Sequence, residues 1–266
     1  MDNLLYSPSY LLLNSIPAIF IITLFLLREK KKEPLSIVLS TFALTYVIVL
    51  PLDIFISLVD PYLENTFDSQ HYFSFKDFFR AAYLEEVLKF SVIFLFVYKQ
   101  THFDELSDGI IYGIAVGLGY AVVENYDYLF KFFLYQEPMM NFIQSRWWAL
   151  IGHVSLGILM GMFLAKSRIK RFNRKFMLSL SLMIPIFLHG LHNYTFDSDT
   201  LYLLYVDYYI LAFDFILIVG SFIFLRKLET IKFDQQNDGN FIDFIQVAVF
   251  GLIFSLILAF LFGFIK

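Results

Sequence analysis

Residues 109–134 read GIIYGIAVGLGYAVVENYDYLFKFFL, an apolar run that contains glycines and then Glu124, Asn125 and Asp127. It exceeds the roughly 20 apolar residues that a helix needs to cross about 30 Å of hydrocarbon. Each ionisable group inside such a span costs roughly 2.5–3.5 kcal/mol on insertion scales and therefore indicates a function. The stretch predicts a transmembrane helix that carries polar groups to a site inside the bilayer.

The whole sequence has the composition of a chain that is surrounded by lipid. Of its 266 residues 59% are hydrophobic and 17% are charged, and the mean hydropathy is +0.67. The sequence predicts an all-α, polytopic helical membrane protein with about eight transmembrane helices. We expect residues 1–266 to form a single integral membrane domain. The apolar runs fall at about 10–27, 35–59, 77–97, 109–134, 146–165, 176–196, 201–225 and 242–265.

Charge and cysteine content exclude several classes of function. The formal net charge is −4, so the chain offers no basic surface for nucleic acid. The sequence has no cysteine, which rules out disulfides, thiol nucleophiles and thiolate metal sites. The first apolar run lacks a preceding basic segment and a small-residue cleavage site, so we expect a retained helix. The composition itself implies only the lipid bilayer as a partner.

The distribution of charge predicts the orientation, because positively charged loops stay in the cytoplasm. Lysine and arginine collect after the first and fifth runs, at Arg28, Lys30, Lys31, Lys32, Lys166, Arg168, Lys170, Arg171, Arg174 and Lys175. The loops after the second, fourth and sixth runs carry acids, at Asp60, Glu64, Asp68, Glu137, Asp197 and Asp199. We therefore expect a multi-pass protein of the cell membrane with both termini on the extracytoplasmic side.

The third to the sixth apolar runs contain clusters of ionisable or strongly polar side chains. Counted from the outer end of each run, Glu85, Glu124, His153 and His189 are about 7 to 10 residues deep, or about 10–15 Å at 1.5 Å per residue. Because four helices present polar groups at one depth, we expect one water-accessible site in the outer half of the bilayer. The polar residues in these runs include Arg80, Glu85, Glu86, Lys89, Glu124, Asn125, Asp127, His153, His189, His192 and Asn193.

Several of these residues are spaced by four, so they are neighbours on one helix face. Small residues at this spacing let two helix backbones approach closely. We expect Glu85 to pair with Lys89, and close helix packing around the polar level. The sets with this spacing are Glu85 and Lys89; Gly113, Gly117 and Ala121; His153, Gly157 and Gly161; and His189 and Asn193.

Taken together, these motifs resemble the PrsW family of intramembrane proteases, which are distant relatives of the CAAX-type prenyl proteases. The segment Glu85-Glu86-Val87-Leu88-Lys89 is similar to that family's Glu-Glu-x-x-Lys motif. The resemblance covers about residues 77–196, which we expect to be the catalytic core, and Tyr120 stands where the family more often has Phe. The other similar motifs are Asp108-Gly109 through Gly117-Leu118-Gly119-Tyr120 to Glu124-Asn125 and Tyr128; His153 with Gly157 and Gly161; and His189 with Asn193.

The resemblance implies an intramembrane endopeptidase that cuts membrane-anchored proteins, for example a regulator of the anti-sigma factor type. Peptide hydrolysis needs a base, donors for the oxyanion and a proton for the leaving amine. We favour Glu85 as the base, supported by Glu86, and expect the histidines to orient the water and stabilise the oxyanion. The expected catalytic residues are Glu85, Glu86, Glu124, His153, His189 and Asn193, with Lys89, Asn125 and Tyr128 in support.

The sequence leaves the cofactor open between none and Zn²⁺. Two histidines and one carboxylate can hold zinc with one position open for water. His153 and His189 with Glu85 or Glu124 would form such a set, although no His-Glu-x-x-His motif is present.

A membrane transporter or channel, and a non-catalytic membrane scaffold, are the alternative functions. Ionisable residues inside spans also mark ion paths, but the sequence shows no inverted repeat and its polar groups crowd at one level. We expect a packing role for His192 and a local role for Asp127. We expect structural roles for Asp207 and Asp214, with Arg80 or Arg146 as partners.

Overall fold

The computed structural model describes residues 8–66, 69–135, 139–196, 201–233 and 240–264. These residues are almost entirely helical, and their one β contact is an isolated bridge between Glu105 and Lys232. The prediction of an all-α protein is confirmed. The expected acidic loop positions Asp68, Glu137, Asp197 and Asp199 lie outside the described residues. The α-helices are α1 (Pro8–Arg28), α2 (Leu35–Thr66), α3 (Ser69–Phe75), α4 (Leu84–Val92), α5 (Leu106–Tyr135), α6 (Met139–Lys166), α7 (Arg174–Phe196), α8 (Leu201–Leu228) and α9 (Phe241–Phe262).

Five helices in the described part of the chain, α5 to α9, are long and apolar enough to cross a membrane. Helix α2 supplies a sixth span if its halves Leu35–Val49 and Ile54–Thr66 are counted together across a bend of 41°. Pro51 lies at this bend, where it removes a helical hydrogen bond. The sequence predicted about eight spans, and the first and third apolar runs account for the difference. Helix α1 offers only the shorter apolar segment Ser15–Arg28.

The third apolar run is a helix of mixed geometry. Helix α4 is preceded by a π-helical segment, Lys76–Tyr83, and followed by a second one, Ile93–Val97. Such wide turns are rare and often occur at functional sites. The length of this run suggested a transmembrane span. The run carries too many charged side chains to qualify as an ordinary apolar span. Its charged side chains are Lys76, Asp77, Arg80, Glu85, Glu86 and Lys89.

Helix α5 runs through the centre of the protein, and the other helices enclose its spanning part, Leu106–Leu129. It packs against α6 so closely that a methyl group added to Gly113 would lie 2.1 Å from the carbonyl oxygen of Gly157. Only glycine allows this backbone contact. The antiparallel contact ends where Glu124 and His153 lie side by side. The facing positions are Gly109 and Gly161, Gly113 and Gly157, and Gly117 and His153.

The basic loops gather at the end of the bundle where α5 begins. The Arg168 guanidinium donates hydrogen bonds to the carbonyl oxygens of Tyr98 and Phe103, and Lys31 forms an ion pair with Asp104. Glu124 lies near the other end of the same helix. If the basic loops face the cytoplasm, the polar groups lie toward the outer side.

Replacing Gly113 by alanine is expected to destabilise the protein by about 1–3 kcal/mol, the usual range for adding volume to a packed core. The added methyl group would meet the Gly157 backbone. Gly220→Ala in α8 is the matched control, because nothing lies within 4 Å of its added methyl group. SDS-induced unfolding of the purified variants measures the difference. Equal stability of the two variants would contradict the close packing of α5 on α6.

Candidate active site

A cavity of about 230 Å³ opens between the π-helical segment Lys76–Tyr83 and helices α4 to α8. Glu85, Glu124, His153 and His189 all line it. The rings of the two histidines meet edge to face, with centroids 5.5 Å apart. The four groups that the sequence places at one depth therefore meet in one cavity. Other polar side chains in its wall are Lys76, Asp77, Arg80, Tyr128, Ser145, Arg146, His192, Asn193 and Asp214.

Lys89 lies beside this cavity and is completely buried. Its ammonium donates hydrogen bonds to Oε1 of Glu86 at 2.6 Å and to Nδ1 of His153 at 2.9 Å. It also lies 4.4 Å from the ring centroid of Tyr120. A buried charge is tolerated only where partners replace its hydration, and these three groups do so. Lys89 thereby joins α4, α5 and α6 at the level of the cavity.

The contacts of His153 fix its tautomer. An ammonium can only donate, so Nδ1 of His153 accepts the hydrogen bond from Lys89. In the neutral ring, the proton is then on Nε2, which donates to Oε2 of Glu124 at 3.0 Å. The Glu124 carboxylate therefore holds the His153 ring in this orientation.

His189 has the opposite tautomer. Its Nδ1 lies 2.8 Å from Oε1 of Glu86, and a carboxylate can only accept, so Nδ1 carries the proton. The Nε2 atom of the neutral ring then has its lone pair free. It lies 3.7 Å from Oε2 of Glu85. This carboxylate oxygen is enclosed and has no hydrogen-bond partner among the described residues.

Lys89 pairs with a different glutamate from the predicted one. The spacing of four residues suggested Glu85, but Lys89 bonds to Glu86, which is three residues away. Adjacent residues point about 100° apart on a helix. Glu86 shares the buried side of α4 with Lys89, whereas Glu85 is directed into the cavity. The prediction of a Glu85–Lys89 pair was wrong, and Glu85 is left without that partner.

The aspartates of α8 also have partners other than the predicted ones. Oδ1 of Asp207 lies 2.7 Å from Nδ1 of His192, and Asp214 accepts a hydrogen bond from Ser155. The arginines proposed for them are engaged elsewhere: Arg80 pairs with Asp60 at 3.1 Å, and Arg146 lies 3.6 Å from Glu124. His192 lines the cavity and contacts the Asp207 carboxylate, so it does more than pack.

The three remaining expected residues, Asn193, Tyr128 and Asn125, differ in their relation to the cavity. Asn193 lines the cavity and, within the described residues, has no hydrogen-bond partner, so it does not orient His189. Tyr128 also lines the cavity. Asn125 is buried, and its Oδ1 atom has no partner among the described residues, but it lies outside the cavity wall.

Arg146 is a candidate that the sequence did not single out as a site residue. Its guanidinium carbon lies 3.6 Å from the ring centroid of Tyr128, and the side chain lines the cavity. Its Nε and Nη1 atoms are enclosed and lack hydrogen-bond partners in the described part of the chain. The sequence does contain a signal, because Arg146 precedes His153 by seven residues and so shares its helix face.

Comparison with known proteins decides the family. Residues 33–220 match the family described as PrsW family intramembrane metalloprotease. The chain belongs to the PrsW family. The Protease PrsW of Bacillus subtilis is 33% identical over 192 residues, which cover 71% of this chain and 84% of that protein. The one from Oceanobacillus iheyensis is 30% identical over 194 residues, covering 70% and 84% respectively. No solved structure matches the chain.

Membership of the PrsW family makes the chain an intramembrane protease and a multi-pass membrane protein. The resemblance of the sequence motifs is thereby confirmed. The matched range contains every residue expected at the site, from Glu85 to Asn193.

The two glutamates of the Glu-Glu-x-x-Lys motif have different surroundings, since Glu86 is fully buried against Lys89 and Glu85 faces the cavity. At Tyr120 the contact with Lys89 uses the ring face, which a phenylalanine, the residue expected there from the resemblance, would also offer.

The family description implies a metal, and the donor set of this cavity fits one. One ligand atom from each of Glu85, His153 and His189 lies within 4.8 Å of the other two. Two imidazoles and one carboxylate suit zinc. Oε2 of Glu85 lacks a partner, and His189 has Nε2 free while its Nδ1–H is held by Glu86, the usual support for a metal-binding histidine. His153 would exchange its contact with Lys89 or Glu124 for the ion.

Lys89→Met is expected to destabilise the protein by about 3–5 kcal/mol, because it leaves the buried Glu86 carboxylate without its cation. The exposed Lys99→Met is the matched control and should change stability by less than about 0.5 kcal/mol. SDS-induced unfolding measures both. Adding Glu86→Gln to Lys89→Met should restore part of the loss, because the two residues are coupled. Equal effects of the two lysine substitutions would contradict the pairing.

Proposed function

We propose that this PrsW-family protease cuts membrane-anchored proteins in the outer half of the bilayer, with Glu85 as the general base. The observation that carries the proposal is that two hydrogen-bond acceptors without a donor lie next to each other in the cavity. Oε2 of Glu85 and Nε2 of His189 lie 3.7 Å apart, and the carboxylate oxygen has no other partner among the described residues. This arrangement provides a position for a water molecule that donates to both.

Such a water would direct its lone pair into the cavity, toward a peptide carbonyl carbon. Glu85 takes a proton from the water as the new carbon–oxygen bond forms. The protonated carboxyl group then gives this proton to the amide nitrogen, and the carbon–nitrogen bond breaks. General base and acid catalysis of this kind typically contributes 10²–10⁴-fold. Glu86 supports the step by holding the ring of His189.

The tetrahedral intermediate needs donors for its negatively charged oxygen. The Nε and Nη1 groups of Arg146 lie at the cavity without hydrogen-bond partners among the described residues, and Nη1 lies 3.6 Å from Oε2 of Glu124. The amide of Asn193 is a second donor in the same wall. Glu124 holds Arg146 at 3.6 Å and His153 at 3.0 Å, so its role is to position both side chains. We therefore assign the stabilisation of the oxyanion to Arg146 and Asn193.

Glu85, His153 and His189 would hold a zinc ion in the metal-dependent version of this site. A bound zinc ion supplies a more acidic water and polarises the scissile carbonyl. Glu85 would then act as a ligand, and Glu124 would be the remaining glutamate in the cavity wall. Arg146 and Asn193 keep their proposed role toward the oxyanion.

The substrates that fit this arrangement are single-span proteins of the cell membrane. With the basic loops in the cytoplasm and both termini outside, the cavity receives the extracytoplasmic half of a substrate helix. A cut at this level would release the external domain of a membrane regulator. The anti-sigma factors implied by the sequence resemblance belong to this type.

Glu85→Gln is expected to lower the rate of cleavage of a single-span reporter by about 10²–10⁴-fold, because the amide cannot accept the proton. Purified protein in lipid vesicles and electrophoresis of the products measure the rate. Glu64→Gln, on the exposed end of α2, is the matched control and should retain activity. Wild-type activity in Glu85→Gln would contradict the assignment of the base.

The same assay separates the two versions of the site. Cleavage that resists a strong chelator supports a glutamate-activated water. Cleavage that is lost on chelation supports the metal-dependent version if zinc restores it in the wild-type protein but not in His189→Ala. A folded protein that cleaves none of a panel of single-span substrates would contradict the proposed substrate class.

Arg146→Gln is expected to lower kcat by about 10²–10³-fold, the range for loss of an oxyanion donor, with little change in KM. Arg146→Lys should recover part of kcat because it keeps one charged donor. Arg171→Gln, in the loop between α6 and α7, is the matched control. A rise in KM at unchanged kcat would assign Arg146 to substrate binding instead.

A further inference from the structure

A second cluster of carboxylates lies at the other end of α5, among the basic loops. Glu29 and Glu33 come from the loop between α1 and α2, and Asp108 comes from the first turn of α5. Their exposed fractions are 2%, 5% and 0%. One oxygen of each carboxylate lies within 4.8 Å of the other two. Three acidic groups are thus held together out of contact with solvent.

Two oxygens in this cluster are enclosed and have no hydrogen-bond partner among the described residues: Oε1 of Glu29 and Oδ1 of Asp108. The second oxygens of the same groups are satisfied. Oε2 of Glu29 accepts from the Glu33 amide at 3.0 Å, and Oδ2 of Asp108 accepts from the amides of Asp104 and Glu105 at 2.7 Å. The backbone therefore holds both side chains in place while one oxygen of each stays unpaired.

Glu33 completes the cluster. Its Oε2 atom accepts a hydrogen bond of 2.6 Å from the hydroxyl of Tyr112, one turn along α5 from Asp108. The carboxylate is thereby oriented toward the start of α5. Tyr112 is itself buried, so its ring lies close to the three carboxylates.

The neighbouring cationic side chains bond to other groups. Lys31 pairs with Asp104, Lys32 donates to the carbonyl oxygen of Leu26, and Arg28 donates to the carbonyl oxygen of Ile223. The described part of the chain supplies no ammonium or guanidinium group in hydrogen-bond contact with the three carboxylates.

We propose that Glu29, Glu33 and Asp108 bind a hard divalent cation, Mg²⁺ or Ca²⁺. All three ligands are oxygens, which these ions prefer, and the cluster lacks the nitrogen and sulfur ligands that favour zinc. A cation there would use the unpaired oxygens of Glu29 and Asp108 and offset the repulsion between the buried carboxylates.

This site is separate from the protease cavity. Asp108 and Glu124 are sixteen positions apart along α5, which corresponds to about 24 Å at 1.5 Å per residue. The cation would fasten the loop between α1 and α2 to the start of α5, the helix whose other end carries Glu124. Its role is therefore structural, in support of the central helix, and it does not depend on the proposed chemistry.

Binding can be followed with Tb³⁺, an oxygen-seeking substitute for Ca²⁺ whose luminescence is excited through a nearby aromatic ring such as Tyr112. Purified protein is first freed of metal with a chelator. We expect luminescence that saturates near one ion per chain and is displaced by Mg²⁺ or Ca²⁺. The better competitor identifies the cation. The same cation should raise Tm by roughly 5–10 °C at a hundredfold excess over Kd.

The variants test which residues bind. Glu29→Gln and Asp108→Asn should each abolish the luminescence and the Tm shift, and Glu29→Gln leaves the backbone contacts of Asp108 intact. Asp104→Asn, beside the cluster, and Glu85→Gln, in the protease cavity, are the matched controls and should retain both. Absence of binding in folded wild-type protein would overturn the proposal. So would binding that persists in the double variant Glu29→Gln/Asp108→Asn, or loss of binding only in Glu85→Gln.

Discussion

The arrangement of the site depends on the contacts of the buried Lys89 ammonium. It lies between Glu86, His153 and the ring of Tyr120. Because an ammonium only donates, it requires His153 to accept at Nδ1 and to present Nε2–H to Glu124. It also holds the carboxylate that fixes His189. The Lys89–Glu86 pair thus accounts for both histidine tautomers, and Oε2 of Glu85 is left without a hydrogen-bond partner among the described residues.

The features that the sequence predicted best are those that depend on position along a helix. Depth in the membrane follows from residue number, so Glu85, Glu124, His153 and His189 could be expected at one level, where the structure brings them together. The glycine spacing of α5 and α6 predicted their close contact for the same reason, since residues four apart share a face. The all-α fold followed from the lengths of the apolar runs, and the family was expected from the resemblance of the motifs.

The sequence could not predict contacts that depend on how the helices are rotated. The two glutamates of the motif are adjacent, and only the structure shows that Glu86 faces Lys89 while Glu85 faces the cavity. The π-helical turns on both sides of α4 change this rotation and have no simple sequence signal. The sequence likewise does not show that Arg146 contacts Tyr128, or that Glu29 and Asp108 lie together, because these contacts form only when distant segments pack against each other.

The level of the cut is the most direct test of the central claim, a hydrolytic site about 10–15 Å below the outer surface. Purified protein in vesicles would cleave a single-span reporter of known orientation, and mass spectrometry would map the new termini. A protease with this cavity should cut within the outer half of the substrate's span, and Glu85→Gln should abolish those products. New termini in the half beside the basic loops, or unchanged products with Glu85→Gln, would contradict the account.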